Sequence, residues 1–293
     1  IVKRPLSELA MEMPSPSMPR GWHNYCPHCD WWGHGPSNSL DVVGRPWEQT
    51  CPACKKSCPG FDALKFYMSG RDELGWFHFY EADQSLLPKD PRVKKLALDS
   101  MWSYCRGYWS DGFGPGLTAL SDAYVYTGKK KYARHACGLL VHFAYFYPFF
   151  MKRDCINGDT HPGTLIMDCH EACLLNRVAL AYDQLFDALT DKTLLKDMSK
   201  LMAPYGFRFR TGSELKAYLE GRIFGTITLD MRRLWHGDGG ERRNRDHFAY
   251  ETIGVVLDKT PLGKQFEKVS WELRSQGYAE DGSARVGGLE YDV

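Results

Sequence analysis

Residues 237–291 carry a dense set of side chains able to move a proton beside a carboxylate. The stretch opens on a polar, basic loop, Gly237-Asp238-Gly239-Gly240-Glu241-Arg242-Arg243-Asn244-Arg245-Asp246-His247. It closes on a glycine-rich loop, Asp281-Gly282-Ser283-Ala284-Arg285-Val286-Gly287-Gly288-Leu289-Glu290-Tyr291, with two helix-like segments between. Asn and His can neutralise a carboxylate, Arg can pair with it, and His or Tyr can take and return a proton. Loops at the ends of helices are where a rigid scaffold presents such groups. The alternative reading is two solvated loops with no chemistry.

A second constellation lies near the front. Cys26-Pro27-His28-Cys29 and Cys51-Pro52-Ala53-Cys54 are two C-P-x-C knuckles separated by a glycine-rich stretch. Zinc in a structural site takes four tetrahedral thiolate or imidazole ligands, and paired C-x-x-C turns supply them at the right bite. We therefore expect a structural zinc held by Cys26, Cys29, Cys51 and Cys54, with no position open to water. His28, His34 and Cys58 are spare donors read as bystanders. Trp22, Tyr25, Trp31, Trp32 and Trp47 would cover so small a module, or alternatively face a glycan. Cys105, Cys137, Cys155, Cys169 and Cys173 sit in or beside apolar helical patterns and read as core thiols. Cys169-His170-Glu171-Ala172-Cys173 has the i,i+4 spacing of a helical metal site but lacks a second ligand pair nearby, so core is again the reading.

These groups need a scaffold. A chain of 293 residues with 43% apolar side chains can bury a substantial core. Its net charge of +1 argues against a dedicated nucleic-acid binder, although five arginines fall between Arg232 and Arg245. No apolar run reaches the length of a membrane span. The first twenty residues, rich in Ser, Pro and Met, lack the hydrophobic region of a signal peptide, and the chain starts at Ile1, so a mature or trimmed chain is expected.

The body reads as helical, with little strand-like alternation. Asp90-Pro91 reads as an N-cap and first helical residue, opening a helix to about Arg106. Gly116–Tyr126 is a helix stopped by Thr127-Gly128, and Lys130–Tyr147 another, with Tyr132, Ala136, Leu139, Leu140 and Phe143 on one face and Pro148 ending it. An irregular loop, 149–163, precedes a long run from Thr164 to Leu189. Asp191 caps a helix to about Leu201. Segments 213–221, 246–258 and 261–276 complete the set, the last with Thr260 as N-cap, Pro261 in the first turn and Gly277 as stop. Helices of this length on short connections pack as antiparallel hairpins.

Four segments resemble a known family. Tyr124-Val125-Tyr126-Thr127-Gly128-Lys129-Lys130-Lys131-Tyr132-Ala133 resembles the Y-x-x-T-G-D-x-x-Y-A helix junction of (α/α) toroid polysaccharide lyases. Ala181-Tyr182-Asp183-Gln184-Leu185-Phe186-Asp187-Ala188-Leu189-Thr190-Asp191 looks like their A-Y-D-L-x-x-D-x-L-T-D segment. Arg243–His247 sits where heparinase II/III-like lyases carry an N-H pair, and residues 281–291 are similar to their D-G-S-x-x-E-G-x-x-Y loop. The resemblance covers residues 20–291 in order, and some members also carry a C-P-x-C pair before the toroid.

The resemblance implies an all-α fold, an incomplete (α/α) toroid of antiparallel helix hairpins with a small zinc-ribbon-like module. It divides the chain into an N-terminal extension, 1–20, the four-cysteine module, 21–62, and a toroid lyase domain, 63–293, truncated before the β-sheet domain that such proteins normally add. It implies cleavage of a uronic-acid polysaccharide, glycosaminoglycan or alginate in type, by β-elimination in a secreted or periplasmic setting. Carried over, His247 holds the carboxylate or acts as base and Tyr291 acts as base and acid. Asp246 stands where the pattern has Asn; either Asn244 takes that role, or Asp246 faces elsewhere or caps the helix that follows. Arg242, Arg243 and Arg245 would pair with the polyanion, and Trp235, before His236, would stack on a sugar ring. His161, Tyr108, Trp109 and Glu171 are further candidates for the cleft. The rivals are a glycoside hydrolase on an (α/α)6 barrel, with two carboxylates from Asp238, Glu241, Asp281 and Glu290, and a non-catalytic glycan-binding scaffold.

Overall fold

The computed structural model describes residues 2–17, 24–25, 28–29, 32–33, 49–51, 53–58, 61–91, 94, 108–151, 168–227, 249–258 and 260–277. The chain is mostly helical, as its pattern implies. Among the described residues, no helix is long and apolar enough to cross a membrane. They fall into two compact units, one drawn from Ile1–Ala10, Gly114–Met151 and Thr164–Val293, the other from Met11–Phe113.

In the first unit, α3 (Gly114–Thr127) and α4 (Lys130–Met151) form a hairpin. The turn between them is local chemistry: Gly128 takes φ +64, its N–H donates to Tyr124 O at 2.7 Å, and the Thr127 hydroxyl donates to Ala123 O. α4 is buried almost all round, through Ala133, Ala136, Leu140, Phe143, Ala144 and Tyr147 among others, as befits a central helix. Against it pack α3, α5 (Asp168–Leu185), α6 (Lys192–Met202) and α7 (Gly212–Leu219). A 3-10 turn, Ala188–Thr190, replaces the end of the run expected to continue from 164 to Leu189. α6 starts as expected: the Asp191 carboxylate accepts from the N–H groups of Thr193 and Leu194. Residues 249–256 form α8 and Pro261–Gly277 form α9, whose Thr260 hydroxyl accepts from Gly263 N. Gly254 lets these two helices cross closely, because a Cβ there would meet Glu267 Cγ at 2.7 Å.

Pro148 does not end α4, which continues to Met151. The reason lies on another element. Proline lacks the N–H that would donate to the carbonyl of residue 144, four back. Arg222 replaces that donor: its Nε donates to Ala144 O and its Nη2 to Tyr145 O, each at 2.8 Å. The guanidinium carbon lies 5.5–5.8 Å from the ring centroids of Tyr145, Phe149, Phe207 and Tyr218, within cation–π range. Tyr218 OH also donates to Val141 O, one turn earlier. Arg222 is carried on a π-helical segment, Glu220–Phe224, that extends α7.

The expected extension at the N-terminus is built into packed structure. Leu6, Leu9 and Ala10 of α1 (Leu6–Met11) are buried, and Leu6 lies against Gly138 so closely that a Cβ there would meet it at 2.8 Å. In the second unit Met13 and Ser15 are buried. Ser15 N donates to Tyr67 OH, and its hydroxyl accepts from Phe77 N. α2 (Ala63–Ser69), capped by Asp62, supplies Phe66 and Tyr67 to an aromatic cluster with Phe77 and Phe79. Pro91 is helical and Lys94 N donates to Asp90 O, in keeping with a helix opening there.

The loop after α2 is organised by Asp72. Its Oδ1 accepts from the N–H groups of Leu74 and Trp76, and its Oδ2 meets His78 Nε2 at 3.0 Å. Burial disfavours the Asp72 carboxylate, but the bonds from His78, Trp76 and Leu74 outweigh that and hold its pKa below the usual value. The bond from Asp72 raises the pKa of His78. The raised histidine contributes stability below 6.5, lost as pH rises through its folded value. The depressed aspartate contributes above 3.8, lost as pH falls through its folded value. The pair should therefore stabilise most between those two pH values. Thermal melts of His78→Ala against the parent chain should show their largest gap near about pH 5 and a smaller one in alkali; a gap that does not vary with pH would contradict the assignment.

Candidate metal centre

Two short antiparallel pairings flank the knuckles. β1 (Asn24–Tyr25) pairs with β2 (Trp32–Gly33) around the first, and β3 (Gln49–Thr50) with β4 (Ser57–Cys58) around the second. Cys29 lies in a turn between β1 and β2, and Cys51 and Cys54 lie between β3 and β4. In the second knuckle Cys51 N donates to Lys56 O and Lys55 N to Cys51 O, both at 2.9 Å, and Cys54 N points at Cys51 Sγ at 3.5 Å. Lys55 takes φ +59, a left-handed conformation that costs a side-chain-bearing residue about 1 kcal/mol. The tight turn demands it.

The Sγ atoms of Cys29, Cys51 and Cys54 lie within 4.8 Å of one another. Cys29 and Cys51 are 3.8 Å apart, and none of the three is in a disulfide. That spacing discriminates between chemistries. A disulfide needs about 2.05 Å, whereas tetrahedral thiolates about 2.3 Å from a zinc ion lie about 3.8 Å from each other. The donor set therefore fits a metal ion, with Cys51 buried and Cys29 exposed. Cys26 lies outside the described residues, as does His34; His28 is exposed and does not join the cluster.

Asn244, His247, Tyr291, Arg242, Arg243, Arg245, Trp235 and Asp246 all lie outside the described residues. So do His161 and the acidic alternatives Asp238, Glu241, Asp281 and Glu290. Tyr108 and Trp109, further candidates for the cleft, are buried in a π-helical turn, Tyr108–Phe113, where Trp109 packs edge-on to Tyr108 and Phe113. Among the supposed core thiols, Cys137 is fully buried, and burial pushes its pKa up to about 12, so it stays protonated and inert. Cys173 is exposed on α5, contrary to expectation.

The reading of the residues missed two polar contacts that the fold assembles. Arg222 in its ring of aromatics is one. The other joins Tyr182 OH to Glu220 Oε1 across α5 and the π-helical segment; burial and then the Glu220 bond raise the Tyr182 pKa far above the ordinary value. Neither has a local signature, since each depends on partners far apart in the chain.

No family model, curated protein or solved structure matches the chain.

Proposed function

We propose that the chain is a polysaccharide lyase of the heparinase II/III-like group, acting outside the cytoplasm on a uronic-acid polysaccharide. The observation that carries the reading is the junction of two of the family-like segments. The Tyr124–Ala133 segment forms the α3–α4 turn and the Ala181–Asp191 segment runs from α5 to the cap of α6. Lys130 of the first pairs with Asp191 of the second at 2.5 Å. Motifs that are weak singly thus meet in space, on helical hairpins of the kind that build an (α/α) toroid.

In this reading Asn244 and His247, with Arg242, Arg243 and Arg245, neutralise the uronate carboxylate and lower the energy of the enolate-like charge that develops. Tyr291, or His247, takes the C5 proton. The electron pair of the broken C5–H bond becomes the C4=C5 double bond, the C4–O bond breaks, and the departing oxygen receives a proton from Tyr291. Trp235 stacks on a neighbouring sugar, and Asp246 either contacts a hydroxyl or caps the following helix. A zinc ion on Cys26, Cys29, Cys51 and Cys54 makes the front module a zinc ribbon; its part is structural.

A panel of hyaluronan, chondroitin, heparan sulfate, alginate and polygalacturonate, followed by ultraviolet absorbance of the unsaturated product, tests the reading. His247→Ala and Tyr291→Phe should each lower the rate by about a hundredfold or more, the usual share of one acid–base group. Equal rates in the parent and both variants would sink the residue assignment.

A further inference from the structure

Thirty-seven basic side chains almost balance thirty-six acidic ones over the whole chain, but not at the starts of α4 and α6. These ends lie side by side, joined by Lys130–Asp191 at 2.5 Å and Arg134–Asp197 at 2.6 Å. Residues 129–134 and 191–197 hold six cations against two carboxylates.

The ion pairs account for Lys130 and Arg134, and Lys131 Nζ lies 4.9 Å from the Tyr132 ring centroid, but stability does not explain Lys129, Lys192 and Lys196. A cation in the first turn of a helix opposes the helix dipole. Lys129, immediately before α4, has no side-chain acceptor to offer as a cap, in a place where Asp, Asn, Ser or Thr is favoured. Lys192 and Lys196 repel each other at i,i+4 spacing. Lys129, Lys131, Lys192 and Lys196 are all exposed.

Between the two ends lies a cavity of about 130 Å³. The buried side chains of Ala133, Ala188 and Leu194 floor it and the half-buried Tyr124 lines it. Lys130, Lys131, Arg134, Asp191 and Asp197 stand at its rim.

We propose that this cavity is a secondary, non-catalytic binding site for one sugar unit of an acidic polysaccharide. A pyranose ring presents an apolar face, which Tyr124 and the aliphatic floor match. Its carboxylate or sulfate pairs with Lys131 and Lys129, while Asp191 and Asp197, held in their ion pairs, accept from its hydroxyls. The two carboxylates favour a sugar over a nucleic acid or a lipid headgroup, because phosphates without neighbouring hydroxyl donors would be repelled there. The choice of an acidic polymer rests on the lyase reading; the position of the site does not.

Hydrogen–deuterium exchange on the full chain, carrying Tyr291→Phe to prevent cleavage, tests the site with hyaluronan and polygalacturonate hexasaccharides as probes. We expect protection of peptides spanning 124–134 and 188–197, none with neutral cellohexaose, and an affinity about tenfold weaker in Lys129→Glu/Lys131→Glu. Tyr124→Leu should weaken the same protection. Protection confined to peptides around 235–247 would overturn the site and leave the lyase reading standing. Protection at 124–134 from a chain whose parent cleaves no uronate would support the site and count against the lyase. Stronger protection by phosphatidylserine vesicles or single-stranded DNA than by the hexasaccharides would overturn it as well.

Discussion

Arg222→Met is expected to destabilise the helical unit by about 3 kcal/mol, from two charge-assisted hydrogen bonds worth roughly 1.5–3 kcal/mol each, partly offset by the aliphatic replacement. The bonds are those to Ala144 O and Tyr145 O, and the first stands in for the N–H that Pro148 lacks. Removing the guanidinium leaves that carbonyl without its donor and takes a cation from among four aromatic rings. Pro148→Ala restores an N–H facing Ala144 O, which Arg222 already occupies, so alone it should gain far less than the roughly 3 kcal/mol normally recovered when proline leaves a helix interior. In that background Arg222→Met should cost about 1 kcal/mol less than in the parent chain, because the restored N–H takes over the carbonyl. A double-mutant cycle by denaturant unfolding measures this coupling. Strict additivity would show that Arg222 and Pro148 are neighbours without being compensation for one another.

Removing a metal held by the Cys29, Cys51 and Cys54 cluster should have its largest effect on the front module. On the proposed four-cysteine zinc site, Cys51→Ser should take zinc content from about one per chain to near none, since a structural site needs all its ligands. The free energy of binding structural zinc is about 10–16 kcal/mol in small modules, comparable with the whole stability of a domain, about 5–15 kcal/mol. Cys51 is buried, 3.8 Å from the Cys29 sulfur, and its sulfur accepts from Cys54 N, so its loss removes a donor at the centre of the cluster. Amide exchange over residues 49–58 should become fast after chelation or in Cys51→Ser, while the helical signal of α3–α7 persists. Chelator-treated protein that exchanges as slowly as the untreated chain would contradict a structural metal.

What could be read in advance was whatever depends on neighbours in the chain. Asp191 and Thr260 cap helices as their types and positions imply, and the α3–α4 turn forms at Thr127-Gly128. Cys51 and Cys54 converge because C-x-x-C spacing is itself a local geometry, and Cys29, 22 residues from Cys51, joins them. Pro148 misled because the rule that proline ends a helix assumes that nothing replaces its N–H, and the replacement is 78 residues from the carbonyl it serves. Residues 1–20 read as an N-terminal extension, yet Ser15 hydrogen-bonds Tyr67 and Phe77, more than fifty residues on. Tyr108 and Trp109 illustrate a different ambiguity: an aromatic ring suits a sugar or a core equally, and only packing decides. Asn244, His247 and Tyr291 lie outside the described residues, so their roles rest on chemistry and resemblance.

The lyase reading is tested most directly by following two products in one reaction with a uronate polymer: ultraviolet absorbance from the C4=C5 double bond and newly formed reducing ends. Elimination makes one unsaturated uronate for each reducing end, so the two signals should rise together, and both should be lost in Tyr291→Phe. Reducing ends without the absorbance would mean that water, not elimination, breaks the bond, and the account would be wrong.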